Sequence, residues 1–121
     1  GNDYAAVTVV PLDDKPIASS KKLLVQIGTT QRMTGWADRK INFKSKDGKK
    51  TFSGREIVSV GAPPWRIANT QATITVTNPH LTQAALLDTA GHAAAKVDVK
   101  RTGAKLTVKC PQTTIWLILS K

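Results

Sequence analysis

The stretch Thr73-Ile74-Thr75-Val76-Thr77 alternates apolar and polar side chains without a break. A period of two puts Ile74 and Val76 on one side of an extended chain and the three threonines on the other, the pattern of a half-buried β-strand. The same period continues on both sides of this stretch. Upstream, Val7 and Val9 alternate within residues 5–10, and a second apolar run, centred on Leu23-Leu24-Val25-Gln26-Ile27, occupies residues 22–30. Downstream, Val97 and Val99 alternate with Lys96, Asp98 and Lys100. Arg101-Thr102-Gly103-Ala104 then turns the chain, and Leu106 and Val108 alternate with Lys105, Thr107 and Lys109. This predicts a hairpin with a charged outer face. A last run, Thr114-Ile115-Trp116-Leu117-Ile118-Leu119, is rich in β-branched and aromatic residues.

Turn chemistry separates these runs: Asp13-Asp14-Lys15-Pro16, Gly61-Ala62-Pro63-Pro64, Asn78-Pro79 and Asp88-Thr89-Ala90-Gly91. Asp47-Gly48 is a tight-turn signal that predicts a hairpin between short apolar pieces at 41–43 and 51–52. Residues 56–60 give a further short strand, after which the two prolines exclude a central strand. Residues 83–87 and 92–95 tolerate a helix but are too short and lack caps. Eight or nine strands at spacings of about 8 to 12 residues predict one all-β domain over residues 1–121, an antiparallel β-sandwich, Greek-key-like and immunoglobulin-like in class.

The chain has 121 residues, with eighteen Lys and Arg against eight Asp and Glu, so 18 − 8 = +10. That length allows one core and no cleft between two large domains. A hydrophobic content of 40% argues against disorder, and 5% aromatics are too few for an array of stacking platforms. One cysteine, Cys110, permits no internal disulfide, and its alternation with Leu106 and Val108 predicts a buried thiol. No apolar run approaches the roughly 20 residues of a membrane span, and Gly1 suits a processed start.

The acids are Asp3, Asp13, Asp14, Asp38, Asp47, Glu56, Asp88 and Asp98. Most sit where a turn uses an Asx side chain to bond the backbone, and Glu56, beside Arg55, reads as half of a local ion pair rather than a general acid. His80 and His92 lack partners at metal-ligand spacing, so neither a metal nor another cofactor is expected. Ser19-Ser20 lacks a nucleophile elbow. Scattered lysines on alternating positions read as solvated faces and edge protection. The missing interleaved aromatics argue against nucleic acid as partner, with a polyanion-binding basic domain as the alternative. Of three tryptophans, Trp116 has apolar neighbours on both sides and reads as structural. Trp36, after Gly35, and Trp65, after Pro63-Pro64, read as loop-edge residues suited to stacking on a sugar ring or anchoring a neighbouring domain.

Three segments carry a resemblance. They are Leu12-Asp13-Asp14-Lys15-Pro16-Ile17-Ala18-Ser19-Ser20-Lys21-Lys22-Leu23-Leu24-Val25 followed by Thr34-Gly35-Trp36, then Ala85-Leu86-Leu87-Asp88-Thr89-Ala90-Gly91, and finally 106–119 with its Cys110-Pro111 and Trp116. In order and spacing they resemble the C-terminal β-sandwich domain of bacterial secreted glycoside hydrolases and related proteins. Asp14, Ala90, Cys110 and Trp116 depart from that pattern, which has glycine, asparagine, leucine and tyrosine at those places. The resemblance implies a non-catalytic accessory domain of an exported protein, secreted or periplasmic, with a signal peptide upstream. Its partner would be the catalytic barrel of the same polypeptide, and it transfers no catalytic residue. The alternative is direct polysaccharide binding through Trp36 or Trp65 with Arg39, Arg66, Asn69 and Gln71.

Overall fold

The computed structural model describes residues 4–121; Gly1, expected as a processed start, and Asp3 lie outside the described residues. The described residues form twelve strands and no helix: β1 (Ala5–Pro11), β2 (Lys22–Thr29), β3 (Gln31–Thr34), β4 (Ala37–Lys44), β5 (Thr51–Ser59), β6 (Ala62–Ile67), β7 (Ala72–Thr77), β8 (Gln83–Leu87), β9 (Ala93–Val97), β10 (Val99–Thr102), β11 (Lys105–Cys110) and β12 (Trp116–Ser120). Every pairing is antiparallel. The protein is all-β and consistent with a β-sandwich, as the period of two predicts. The segments 83–87 and 92–95 that tolerate a helix are used as β8 and β9.

The chain divides into two compact units, one built from the segment through Thr30 together with Asn69–Lys121, the other from Gln31–Ala68. The first holds eight strands in two sheets, ordered β1-β2-β12-β8-β9 and β10-β11-β7. The links β7–β8, β9–β10 and β11–β12 each pass from one sheet to the other. Between the sheets lies the core. Leu23, Val25 and Ile27 of β2, Leu117 and Leu119 of β12, and Ala84 of β8 meet Leu106, Val108 and Cys110 of β11 and Val76 of β7. These are the inward half of each alternation, and the exposed Lys96, Lys100, Lys105 and Lys109 are the outward half. Cys110 is buried, and that burial pushes its thiol pKa up.

Loops are tied to this core by buried polar groups. The Asn78 amide, fully buried, donates to the carbonyl oxygens of Ile17 (2.6 Å) and Ser20 (2.8 Å), and its own oxygen accepts from the His80 N–H. Arg101 donates to the carbonyls of Leu81, Pro79 and Gly103. Asp13 accepts from the Ser20 hydroxyl and the Lys21 N–H, which holds its carboxyl below the ordinary range.

The second unit is a two-stranded ribbon. Its outgoing strand is β3 then β4, its returning strand β5 then β6, with β4 on β5 and β3 on β6. The predicted Asp47-Gly48 turn closes it, with Gly48 at positive φ and Asp47 accepting from the Lys49 N–H and from Ser45. The apolar pieces at 41–43 and 51–52 extend into strands of eight and nine residues, because ladder pairing recruits the polar residues around them. None of its residues is fully buried. Two-stranded ribbons have no second layer to enclose a core.

Candidate functional site

Both strands of the ribbon are interrupted at the same level. Gly35-Trp36 separates β3 from β4, and Val60-Gly61 separates β5 from β6. At this joint the ladder slips: Met33 pairs with Trp65 but Thr34 pairs with Ala62, so Pro63 and Pro64 fall where no partner is needed. Prolines have no ladder N–H to offer, so a register shift is where they fit. The Pro63–Pro64 peptide is cis. Gly61, at φ +72, lets the two strands close up; a Cβ there would lie 2.3 Å from the Thr34 carbonyl oxygen and 2.8 Å from the Trp36 nitrogen.

A cleft of about 290 Å³ opens at this joint, lined by Gln31, Arg32, Met33, Trp36, Val60 and Trp65. Trp36 is its fixed wall. The Arg32 guanidinium stands 4.7 Å from the Trp36 ring centroid, a cation–π contact, and the indole N–H donates to Asp38 Oδ2 at 3.0 Å. Asp38 is held in turn by Arg55, whose Nε donates to Oδ1 at 2.8 Å. This pair, with the indole N–H second, keeps the Asp38 carboxyl below its usual pKa and raises that of Arg55. Trp65, opposite Met33 in the ladder, is 57% exposed and is the open aromatic face of the cleft.

The structure thus brings Trp36 and Trp65 to one place and adds Arg32, which sequence reading passes over for want of any motif around it. Trp65 lies within β6 rather than at a loop edge, because a two-stranded ribbon tolerates the preceding prolines. Arg39 is engaged elsewhere on the ribbon, with Glu56 at 2.6 Å. The expected pairing of Glu56 with its neighbour Arg55 is corrected: adjacent residues in a strand face opposite ways, so each arginine reaches across the ladder, Arg39 to Glu56 and Arg55 to Asp38. Arg66 faces Arg32 across the ladder but does not line the cleft. Asn69 and Gln71 belong to the sandwich unit, in the segment before β7.

The remaining carboxylates have local work. Asp88 Oδ1 accepts from the Ala90 and His92 N–H groups, the predicted Asx role. Among the described residues no cluster of three or more His, Cys, Asp or Glu is placed to hold a metal, and no helix is long and apolar enough to cross a membrane.

The sandwich unit carries a second feature, on the outer face of its five-stranded sheet. One row across the sheet reads Val10, Leu24, Ile118, Ala85 and Lys96, each opposite the next; beside it Gln26 pairs with Trp116. Leu24, Ala85, Leu87, Trp116 and Ile118 are only half-buried. Two depressions mark this face. One of about 310 Å³ lies among Leu24, Leu87, Trp116 and the turn 88–91; the other, of about 530 Å³, lies over Ala85, Ile118, Gln83, Lys22 and residues 93–96. The sheet is therefore apolar on both sides along β12, whose inward Leu117 and Leu119 alternate with outward Trp116 and Ile118. Comparison of the chain with protein families, with curated proteins and with solved structures finds no match.

Proposed function

We propose that this chain is a non-catalytic accessory domain of an exported carbohydrate-active protein, which packs against a catalytic barrel of the same polypeptide and stabilises it. The observation that carries this reading is the apolar outer face of the five-stranded sheet. An antiparallel sheet with one solvated face alternates apolar and polar residues, whereas β12 reads as a continuous apolar run, the habit of a strand covered on both sides. Leu24 and Trp116 on that face lie at a turn that belongs to the segments resembling glycosidase C-terminal domains. Most of the acids are engaged by backbone or by arginine, which supports a supporting rather than a catalytic role.

The full open reading frame and one pair of variants test it. A signal peptide and a catalytic barrel are expected upstream. In that whole protein Leu24→Lys and Ile118→Lys lower the midpoint of barrel unfolding. A reading frame without a catalytic domain, or a barrel whose midpoint does not move, overturns the reading.

A second reading, direct polysaccharide binding, has its own observation: Trp36 and Trp65, far apart in sequence, line one cleft. Trp65 supplies the stacking face and Trp36 the wall. Affinity electrophoresis through polysaccharide gels tests this, with retardation that Trp65→Ala weakens about tenfold as the expected result. Migration unchanged by every gel rejects it.

A further inference from the structure

We propose that the ribbon's cleft takes an acidic polysaccharide, with Trp65 stacking on a sugar ring and Arg32 bonding the ring's carboxylate or sulfate. The inference rests on the polysaccharide-binding reading and adds the ligand's charge to it.

Residues 31–68 hold nine Lys and Arg against three Asp and Glu, 9 − 3 = +6, more than half of the whole chain's +10 on less than a third of its length. Two of those cations are consumed, Arg39 by Glu56 and Arg55 by Asp38. The other seven, 9 − 2, make no ion pair among the described residues. A neutral ligand has no use for such a field, while a polyanion is steered by it and held along the ribbon. Within the cleft the positive charge meets an aromatic face. Arg32 stands 4.7 Å from the Trp36 ring centroid and one of its nitrogens donates to the Gln31 carbonyl at 2.8 Å, two contacts that restrain the guanidinium beside the cleft. A guanidinium held in that way keeps further N–H donors for a bidentate oxyanion. Trp65 lines the same cleft and is open to solvent, so a sugar ring stacked on it brings a ring substituent within reach of Arg32. The chain's low aromatic content and the absence of aromatics along the rest of the cationic ribbon, apart from the stacked Phe43–Phe52 pair, favour a glycan over nucleic acid, which uses several stacking platforms in series.

The test is affinity electrophoresis of the whole chain through polygalacturonate, carrageenan and unsubstituted agarose, at about 150 mM salt, where the Debye length is about 8 Å. The expected result is retardation by at least one acidic gel and none by agarose. Trp65→Ala weakens it about tenfold. Arg32→Gln weakens it tenfold or more, with Arg32→Lys restoring it only in part. Circular dichroism checks that each variant keeps its strands. Retardation by agarose that depends on Trp65 but not on Arg32 overturns the acidic ligand and leaves the glycan reading intact. Retardation by no polysaccharide rejects both. Binding to an acidic gel that Trp65→Ala and Arg32→Gln leave unchanged, or tighter binding to single-stranded DNA than to any gel, also overturns the proposal.

Discussion

The side-chain amide of Asn78 lies 2.8 Å from the carbonyl oxygen of Ser20, a residue 58 positions earlier, with both residues fully buried. The same amide reaches the Ile17 carbonyl, and its oxygen holds the His80 N–H. One side chain therefore fastens the 16–20 loop to the turn after β7. Replacing it with alanine strands two carbonyls and one N–H away from ready hydration, at roughly 1 to 3 kcal/mol for each group that stays unsatisfied. Asn78→Ala is expected to lower stability by about 2 to 4 kcal/mol. Urea unfolding checks this, as a lower midpoint at unchanged slope; a loss under 0.5 kcal/mol would mean the loop is held by other contacts.

Leu117 and Ile118 are sequence neighbours on opposite faces of β12. Leu117 is fully buried in the core, so Leu117→Ala should cost about 2 to 5 kcal/mol in the chain by itself. Ile118 is half-exposed, and Ile118→Ala should cost less than about 1 kcal/mol there. Equal losses at both sites would show that the outer face is already covered within the chain.

Gly61 sits where the two ribbon strands close on each other. Its φ of +72 disfavours any side chain, and a Cβ would strike the Thr34 carbonyl oxygen at 2.3 Å. Gly61→Ala therefore combines a steric clash with a left-handed backbone, each worth on the order of 1 to 3 kcal/mol. Amide hydrogen exchange should quicken in β3 and β6 and stay unchanged in the sandwich strands. Exchange left unaltered in β3 would mean that Gly61 does not hold the two strands together at the cleft.

Asp38 links the cleft to proton concentration. Its folded pKa lies below the ordinary value of 3.8 because Arg55 and the Trp36 indole N–H both favour the carboxylate. A carboxyl whose pKa is depressed on folding stabilises fully above its unfolded pKa, and that contribution disappears as pH falls through the lowered folded value. The Trp36 indole N–H resonance should thus titrate with a midpoint lowered from the ordinary carboxylate value of 3.8. Asp38→Asn should abolish that titration. A midpoint above 3.8 in the unaltered protein contradicts the network.

Cys110 should be inert in the folded protein, since burial raises its thiol pKa and leaves little thiolate to react. A disulfide reagent at pH 8 is expected to label it only at the rate of unfolding, and labelling faster than unfolding would place the thiol nearer solvent.

Much of the architecture follows from residue order. The alternations at 73–77 and 105–109, together with the Asp47-Gly48 and Asp88–Gly91 turns, identify strands, inward faces and hairpins, because side-chain direction in a strand is a local property with a period of two. The alternation around 97–100 is instead split at Asp98 between two sheets. The Asx roles of Asp47 and Asp88 were legible from the same locality, each acting within a few residues of itself, whereas Asp13 reaches seven and eight residues on, to Ser20 and Lys21.

What a strand meets on its far side is not local. Residues 31–68 have the same composition of short apolar pieces and turns as their surroundings, yet they pair only among themselves and form a unit of their own. The cleft joins Trp36 to Trp65 through a register slip that depends on Gly61 and on two prolines left unpaired between the Met33–Trp65 and Thr34–Ala62 pairs. The exchange of arginine partners needed the ladder register to be visible. The +10 charge is likewise a fact of sequence, but its concentration as +6 beside an open tryptophan depends on which strands pair. Sequence alone determined the all-β class and the inward faces of the clearly alternating strands, since alternation is written residue by residue, while the eight or nine strands it predicts become twelve. Only tertiary structure decided which outward faces remain apolar and which distant residues share a cleft, since sheet order and register are set by pairing between segments far apart in the chain.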